Sequence, residues 1–150
     1  MSTQSLFFED VVIGASYESP EHRLTSSDIA QFCTLTRDHH PLHTNEAYCK
    51  DRGFKTVIAH GLYGLALMEG LKTELGLYET TSIASLGWEK VRFLKPVFAG
   101  DTLRLHFTFV SKRLSSKPGR GVVQEELELR NQDGEAVITA EHTALIMSRA

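Results

Sequence analysis

In Arg37-Asp38-His39-His40-Pro41-Leu42-His43 a carboxylate and an imidazole stand five residues apart across a proline. Seventeen residues after His43 comes His60-Gly61, at the start of a long apolar segment. A carboxylate and an imidazole that converge on one atom can take up and deliver a proton. A glycine that opens a helix presents bare main-chain amides to a developing negative charge. Asp38 and His43 are therefore the candidate acid–base pair, and Gly61 with His60 the candidate oxyanion and substrate-binding pair.

These residues need elements that hold them in place. Thr25-Ser26-Ser27 supplies N-cap hydroxyls and Asp28 a first-turn acid, and Ile29, Phe32, Cys33 and Thr36 then recur at helical spacing. That helix delivers Asp38 just past its C-terminal end. Pro41 disfavours helical geometry at His40 and fixes its own φ, so 37–44 is predicted to be a defined turn. Asn45 is placed to cap a short helix over Glu46–Arg52, which Gly53 ends. From Gly61 to about Leu75 nearly every face is apolar or small, the pattern of a buried helix. Beyond it the period becomes two. Leu103, Leu105, Phe107 and Phe109 alternate with polar residues, as do Val123, Leu127 and Leu129. Strands are predicted near 83–93, 101–114, 121–131 and 135–147, with an edge strand over 15–24 and a two-residue hairpin signal in Gln132-Asp133-Gly134-Glu135. One antiparallel sheet wrapped around one central helix buries both element types.

Composition narrows the function classes. The 150 residues, 41% hydrophobic and 23% charged, suit one globular domain with its own core. A formal charge of −3 argues against a general nucleic-acid or anionic-membrane binder. The longest apolar run, Leu62 to Met68, is too short to span a bilayer. Cys33 and Cys49 form no metal-type pair, and the N-terminus lacks the basic and apolar regions of a signal peptide, so a reducing cytoplasm is expected. His39, His40, His43 and His60 with Asp38 form a nitrogen–oxygen cluster. Adjacent histidines point apart, however, and Pro41 breaks the register that would align His40 with His43, so no metal is expected there.

Three segments in order carry a family resemblance. Asp38-His39-His40-Pro41-Leu42-His43 resembles the Asp-x-Asn-Pro-x-His motif of the MaoC-like dehydratases and R-specific enoyl-CoA hydratases, a hotdog-fold family of the α+β class. Ile58-Ala59-His60-Gly61-Leu62 resembles that family's entry to its central helix, and Phe93 to Leu103 its strand–turn–strand segment. The resemblance covers roughly residues 25–147. It implies reversible hydration of a trans-2-enoyl-CoA to an (R)-3-hydroxyacyl-CoA, with no metal or redox cofactor and with coenzyme A as part of the substrate. It also implies that Asp38 and His43 grip the attacking water while the Gly61 amide binds the thioester oxygen, favoured by the positive end of the helix dipole.

The chain departs from this pattern at two places. His40 stands where the family has asparagine, and Arg37 where many relatives have glycine or an acid. Glu69 falls two turns into the apolar helix, about where relatives carry a small residue supporting the aspartate, and is expected to pair with His40 or His43. Arg92 and Lys95 are candidates for the phosphates of coenzyme A. The resemblance leaves two other readings open: a hotdog acyl-CoA thioesterase, in which a carboxylate directs water at the thioester carbonyl, and a non-catalytic acyl-CoA-binding protein. An exposed edge strand beside a wide apolar sheet predicts at least a homodimer with edge-to-edge sheets.

Overall fold

Period-two alternation in the second half becomes a sheet whose buried phase can be read residue by residue. The computed structural model describes residues 4–150. After a 3₁₀ turn at Phe8–Asp10 the elements are β1 (Ser16–Glu18), β2 (His22–Arg23), α1 (Ser26–Thr36), α2 (Pro41–Thr44), α3 (Glu46–Asp51), α4 (Gly61–Glu74), β3 (Ser82–Phe93), β4 (Thr102–Leu114), β5 (Arg120–Arg130) and β6 (Ala136–Met147). The strands run antiparallel in the order β1-β4-β5-β6-β3, with β2 also on β4. Leu103, Leu105, Phe107 and Phe109 of β4 are buried, as are Leu127 and Leu129, their neighbours across the ladder on β5. Each such side chain contributes roughly 1.5–3 kcal/mol by leaving water.

Helix α4 lies across the buried face of this sheet. Gly64 lets it approach β6 closely, since a Cβ there would come within 2.3 Å of Ile138 Cδ1. This is the sheet-around-helix arrangement anticipated above.

The structure corrects the sequence reading at three points. The expected edge strand over 15–24 is split into β1 and β2. Pro20 has no N–H for the ladder, and Ser19 turns its hydroxyl to accept from Leu105 N and donate to Pro20 O. The β5–β6 turn spans Asn131–Glu135 rather than two residues, with Asn131 Oδ1 accepting from the amides of Asp133 and Glu135. Helix α4 is apolar all round, yet only Gly64, Met68, Leu71 and Lys72 are buried, and Leu62 is 65% exposed. Its sheet-facing side is covered and its opposite side is not.

Candidate active site

Helix α1 is started by a reciprocal cap: Thr25 Oγ1 accepts from Asp28 N, and Asp28 Oδ2 from Thr25 N. It ends at Arg37, a non-glycine residue at φ 70°, which throws the chain out of the helix and presents Asp38. The Asp38 side chain is exposed and accepts weakly from His40 N at 3.3 Å.

Pro41 begins a four-residue helical turn, with His40 as its N-cap. His40 Nδ1 accepts from Leu42 N at 3.1 Å. It thus fills the capping role to which an asparagine is suited. Helix α3 follows under Asn45, whose side chain accepts from Tyr48 N as the sequence predicts.

His43, on α2, meets the segment leading into α4. Its Nδ1 lies 2.7 Å from the Ile58 carbonyl. A carbonyl can only accept, so Nδ1 carries the proton and Nε2 keeps its lone pair. Burial pushes the His43 pKa below the usual imidazole value, against the opposing pull of the Ile58 carbonyl and the Asp38 charge. At neutral pH the ring is a neutral base.

His60 braces this arrangement. It is 4% exposed, and its ring stacks on His43 with centroids 3.6 Å apart and planes 21° from parallel. Its Nε2 donates to the Asp38 carbonyl at 3.0 Å, with Cys33 Sγ 3.6 Å away. Burial raises the Cys33 thiol above its ordinary value, so it stays protonated. His60 is also the N-cap of α4 but makes no side-chain capping bond. The first main-chain bond of the helix runs from Gly64 N to His60 O, so the amides of Gly61, Leu62 and Tyr63 have no acceptor within the helix. The Phe93 ring packs directly on Gly61, where a Cβ would stand 2.6 Å from Phe93 Cε1.

Beside the helix entry lies a mostly apolar cavity of about 420 Å³, with His60, Gly61, Phe93, Leu103 and Ile138 in its wall. That volume is within the usual range for a small-molecule site. Asp38 and His43 are not in this wall, and His43 instead borders a neighbouring groove with Cys33 and His39. His60 separates the two.

The predicted residues therefore divide. Asp38, His43 and His60 offer donor atoms within 4.8 Å of one another, and Gly61 adjoins them in the chain. The stacked rings direct their in-plane lone pairs along near-parallel planes rather than at one point, and the Asp38 carbonyl engages His60 Nε2. This donor set suits a hydrogen-bonded water better than a shared metal ion. The expected pairing of Glu69 with His40 or His43 is not found. Glu69 lies eight residues beyond Gly61, about 12 Å along the helix axis at 1.5 Å per residue. It pairs with Lys72 at 3.0 Å instead. Lys95 borders the cavity and is ion-paired with Glu135. Arg92 is exposed on β3, donates to the Val91 carbonyl and does not border the cavity.

Two participants had no legible signal. The Ile58 carbonyl is main chain, and Phe93 was read only as part of a segment, its contact with Gly61 depending on tertiary placement.

Residues 9–131 match the MaoC like domain family, to which the chain belongs. A mesaconyl-CoA hydratase of Cereibacter sphaeroides is 30% identical over 144 residues, 95% of this chain and 41% of that protein. An (R)-specific enoyl-CoA hydratase of Rhodospirillum rubrum is 34% identical over 97 residues, 65% of each chain. The chain thus spans less than two thirds of the length of these relatives. A solved structure from Archaeoglobus, described as a monoamine oxidase regulatory protein, superimposes with a TM-score of 0.93 at 35% identity, covering 100% of this chain and 99% of that one. The fold is the hotdog fold of the MaoC-like hydratases. Among the described residues no helix is long and apolar enough to cross a membrane.

Proposed function

We propose that this chain catalyses hydration of trans-2-enoyl-CoA thioesters to (R)-3-hydroxyacyl-CoA, or the reverse dehydration, without metal or redox cofactor. The observation that carries the reading is the contact of His43 Nδ1 with the Ile58 carbonyl, which leaves Nε2 its lone pair, with a ring nitrogen of His43 and a carboxylate oxygen of Asp38 within 4.8 Å of each other. Asp38 and His43 hold one water between them. Its oxygen bonds to the β-carbon while His43 Nε2 takes a proton, and the electrons of the double bond move onto the thioester oxygen. The amide of Gly61 and the positive end of α4 stabilise that enolate. The proton is then returned to the α-carbon, so atoms and charge balance. The apolar cavity takes the acyl chain, and Lys95 at its border is the basic residue available to a coenzyme A phosphate.

The enzyme acts as a homodimer in the reducing cytoplasm, where the buried Cys33 and Cys49 remain thiols. Strand β3 ends the sheet with one side unpaired and carries the exposed Ile83, Leu86 and Phe93, a surface suited to pairing with a second copy.

The test is to incubate the protein with crotonyl-CoA and follow loss of conjugated absorbance, with free thiol measured in parallel. Loss of absorbance without thiol supports the hydratase. Thiol release would assign a thioesterase, and no change in either would leave an acyl-CoA-binding protein.

A further inference from the structure

The wall of the cavity at the mouth of α4 is aliphatic and aromatic apart from His60, Tyr63 and Lys95. His60 gives its Nε2 proton to the Asp38 carbonyl, and Lys95 is paired with Glu135. Tyr63 differs from both. It stands in the first turn of α4, half-buried, with its ring edge-on to Phe32 at a centroid distance of 5.4 Å. Among the described residues its hydroxyl has one hydrogen-bond partner, His22 Nε2 at 3.2 Å.

Strand register puts that contact on the cavity side. His22 faces Leu103 across the β2–β4 pair, and directly opposed residues of an antiparallel pair project to the same face. Leu24, two residues after His22, shares its phase. Leu24 and Leu103 both line the cavity.

The direction of the proton follows from Asp28. Its Oδ2 lies 3.6 Å from the same His22 nitrogen, beyond hydrogen-bonding length but close enough for charge to matter. A lone pair turned toward that carboxylate oxygen would be repelled, whereas an N–H is attracted. Nε2 therefore carries a proton and donates it to the Tyr63 oxygen. Asp28 is held in turn, since the same Oδ2 accepts from Thr25 N in the cap of α1. With its oxygen accepting from His22, Tyr63 keeps an O–H with no acceptor among the described residues. Burial, with the Asp28 charge, raises its pKa, so the hydroxyl stays protonated.

We propose that Tyr63 is a specificity-determining residue positioned by His22, and that the cavity selects thioesters whose acyl chain carries a neutral oxygen, a hydroxyl or a ketone, over plain hydrocarbon chains. The proposal rests on the assignment of this cavity to the acyl chain and goes beyond it. A hydrocarbon chain that displaces water leaves the Tyr63 donor unmet in an apolar wall, and an oxygen on the chain meets it. A chain carboxylate would come to the same hydroxyl against the Asp28 charge, while Lys95 is already paired, so it is disfavoured.

The test is calorimetric titration of the full chain with saturated thioesters, which cannot be hydrated: hexanoyl-CoA, 6-hydroxyhexanoyl-CoA, 5-oxohexanoyl-CoA and adipoyl-CoA. The better of the two neutral oxygen-bearing ligands should bind about three- to tenfold more tightly than hexanoyl-CoA, the range of one neutral hydrogen bond. Tyr63→Phe keeps the ring on Phe32 and should abolish that preference, with hexanoyl-CoA bound at least as tightly as by the parent. His22→Ala should weaken the preference, and His22→Gln, whose amide nitrogen still donates to the Tyr63 oxygen, should restore it. If the Tyr63–His22 bond only fastens β2 to α4, Tyr63→Phe lowers the melting temperature and leaves the ratio of Kd values where it was, which overturns the proposal. A parent that prefers hexanoyl-CoA or adipoyl-CoA to both neutral ligands overturns it as well. Because none of these ligands reacts, failure of crotonyl-CoA hydration leaves the binding result intact, and failure of the preference leaves hydration intact.

Discussion

Which nitrogen of His43 is free is decided by a main-chain carbonyl. With Nδ1 tied to Ile58, His43→Ala removes the base and Asp38→Asn removes the carboxylate acceptor. Each substitution should lower hydratase kcat roughly a hundred-fold or more, with the melting temperature nearly unchanged in the exposed Asp38→Asn. Because both act on one water, the double variant should be little worse than the poorer single one, and additive losses in steady-state kinetics would show independent roles.

The pH dependence has a definite sign. Burial depresses the His43 pKa, so the neutral base persists to lower pH than an ordinary imidazole allows. The acid limb of kcat/KM should lie below the usual imidazole range and vanish in His43→Ala. The folded state also binds fewer protons here than the unfolded one. His43 therefore contributes full stability above the unfolded imidazole value and loses it as pH falls through its folded value. Denaturant midpoints measured between pH 7 and 5 should fall more steeply for the parent than for His43→Ala.

At the scale of elements, the turn between α1 and α3 is a chain of caps. His40→Asn keeps an acceptor for Leu42 N and should retain activity. His40→Ala should cost about 1 kcal/mol, the usual value of a lost cap, and lower kcat by loosening α2. An alanine variant equal to the parent in rate and denaturant midpoint would mean that the cap is idle. Arg37 sits in the left-handed region, where glycine is free of the Cβ penalty. Arg37→Gly should therefore raise stability by about 0.4–1 kcal/mol in chemical denaturation.

The caps at Thr25 and Asn45 and the alternation of β4 were legible because each is written in local side-chain chemistry. The family motif placed Asp38 beside His43 for the same reason. What escaped was set by distant partners. Glu69 read as a neighbour of His40 because sequence spacing does not convey the two turns of helix, about 12 Å, that carry Glu69 away from the α4 entry. Glu125 and His142, buried partners across the β5–β6 ladder, carried a signal that went unused, a charged or titratable residue in the apolar phase of a strand. The break at Ser19-Pro20 and the contact of Phe93 with Gly61 needed the register of β4 and the placement of β3.

On the scale of the whole molecule, the uncovered side of α4 and the free edge of β3 concern assembly. Sedimentation at micromolar concentration should give a species of twice the 16.8 kDa chain mass. Leu86, 53% exposed on β3, is where a charge should disrupt it, so Leu86→Lys is expected to shift the species toward the monomer. A monomer for the parent chain would remove the edge-to-edge arrangement.

Phe93 joins this question to catalysis. It is the last residue of the edge strand, and its ring rests on the glycine whose amide faces the developing enolate. Whatever holds β3 in place also holds the ceiling of the oxyanion site. If a second copy is that support, specific activity becomes a function of protein concentration: diluted below the dimer dissociation constant, the enzyme should lose turnover per chain and regain it on reconcentration.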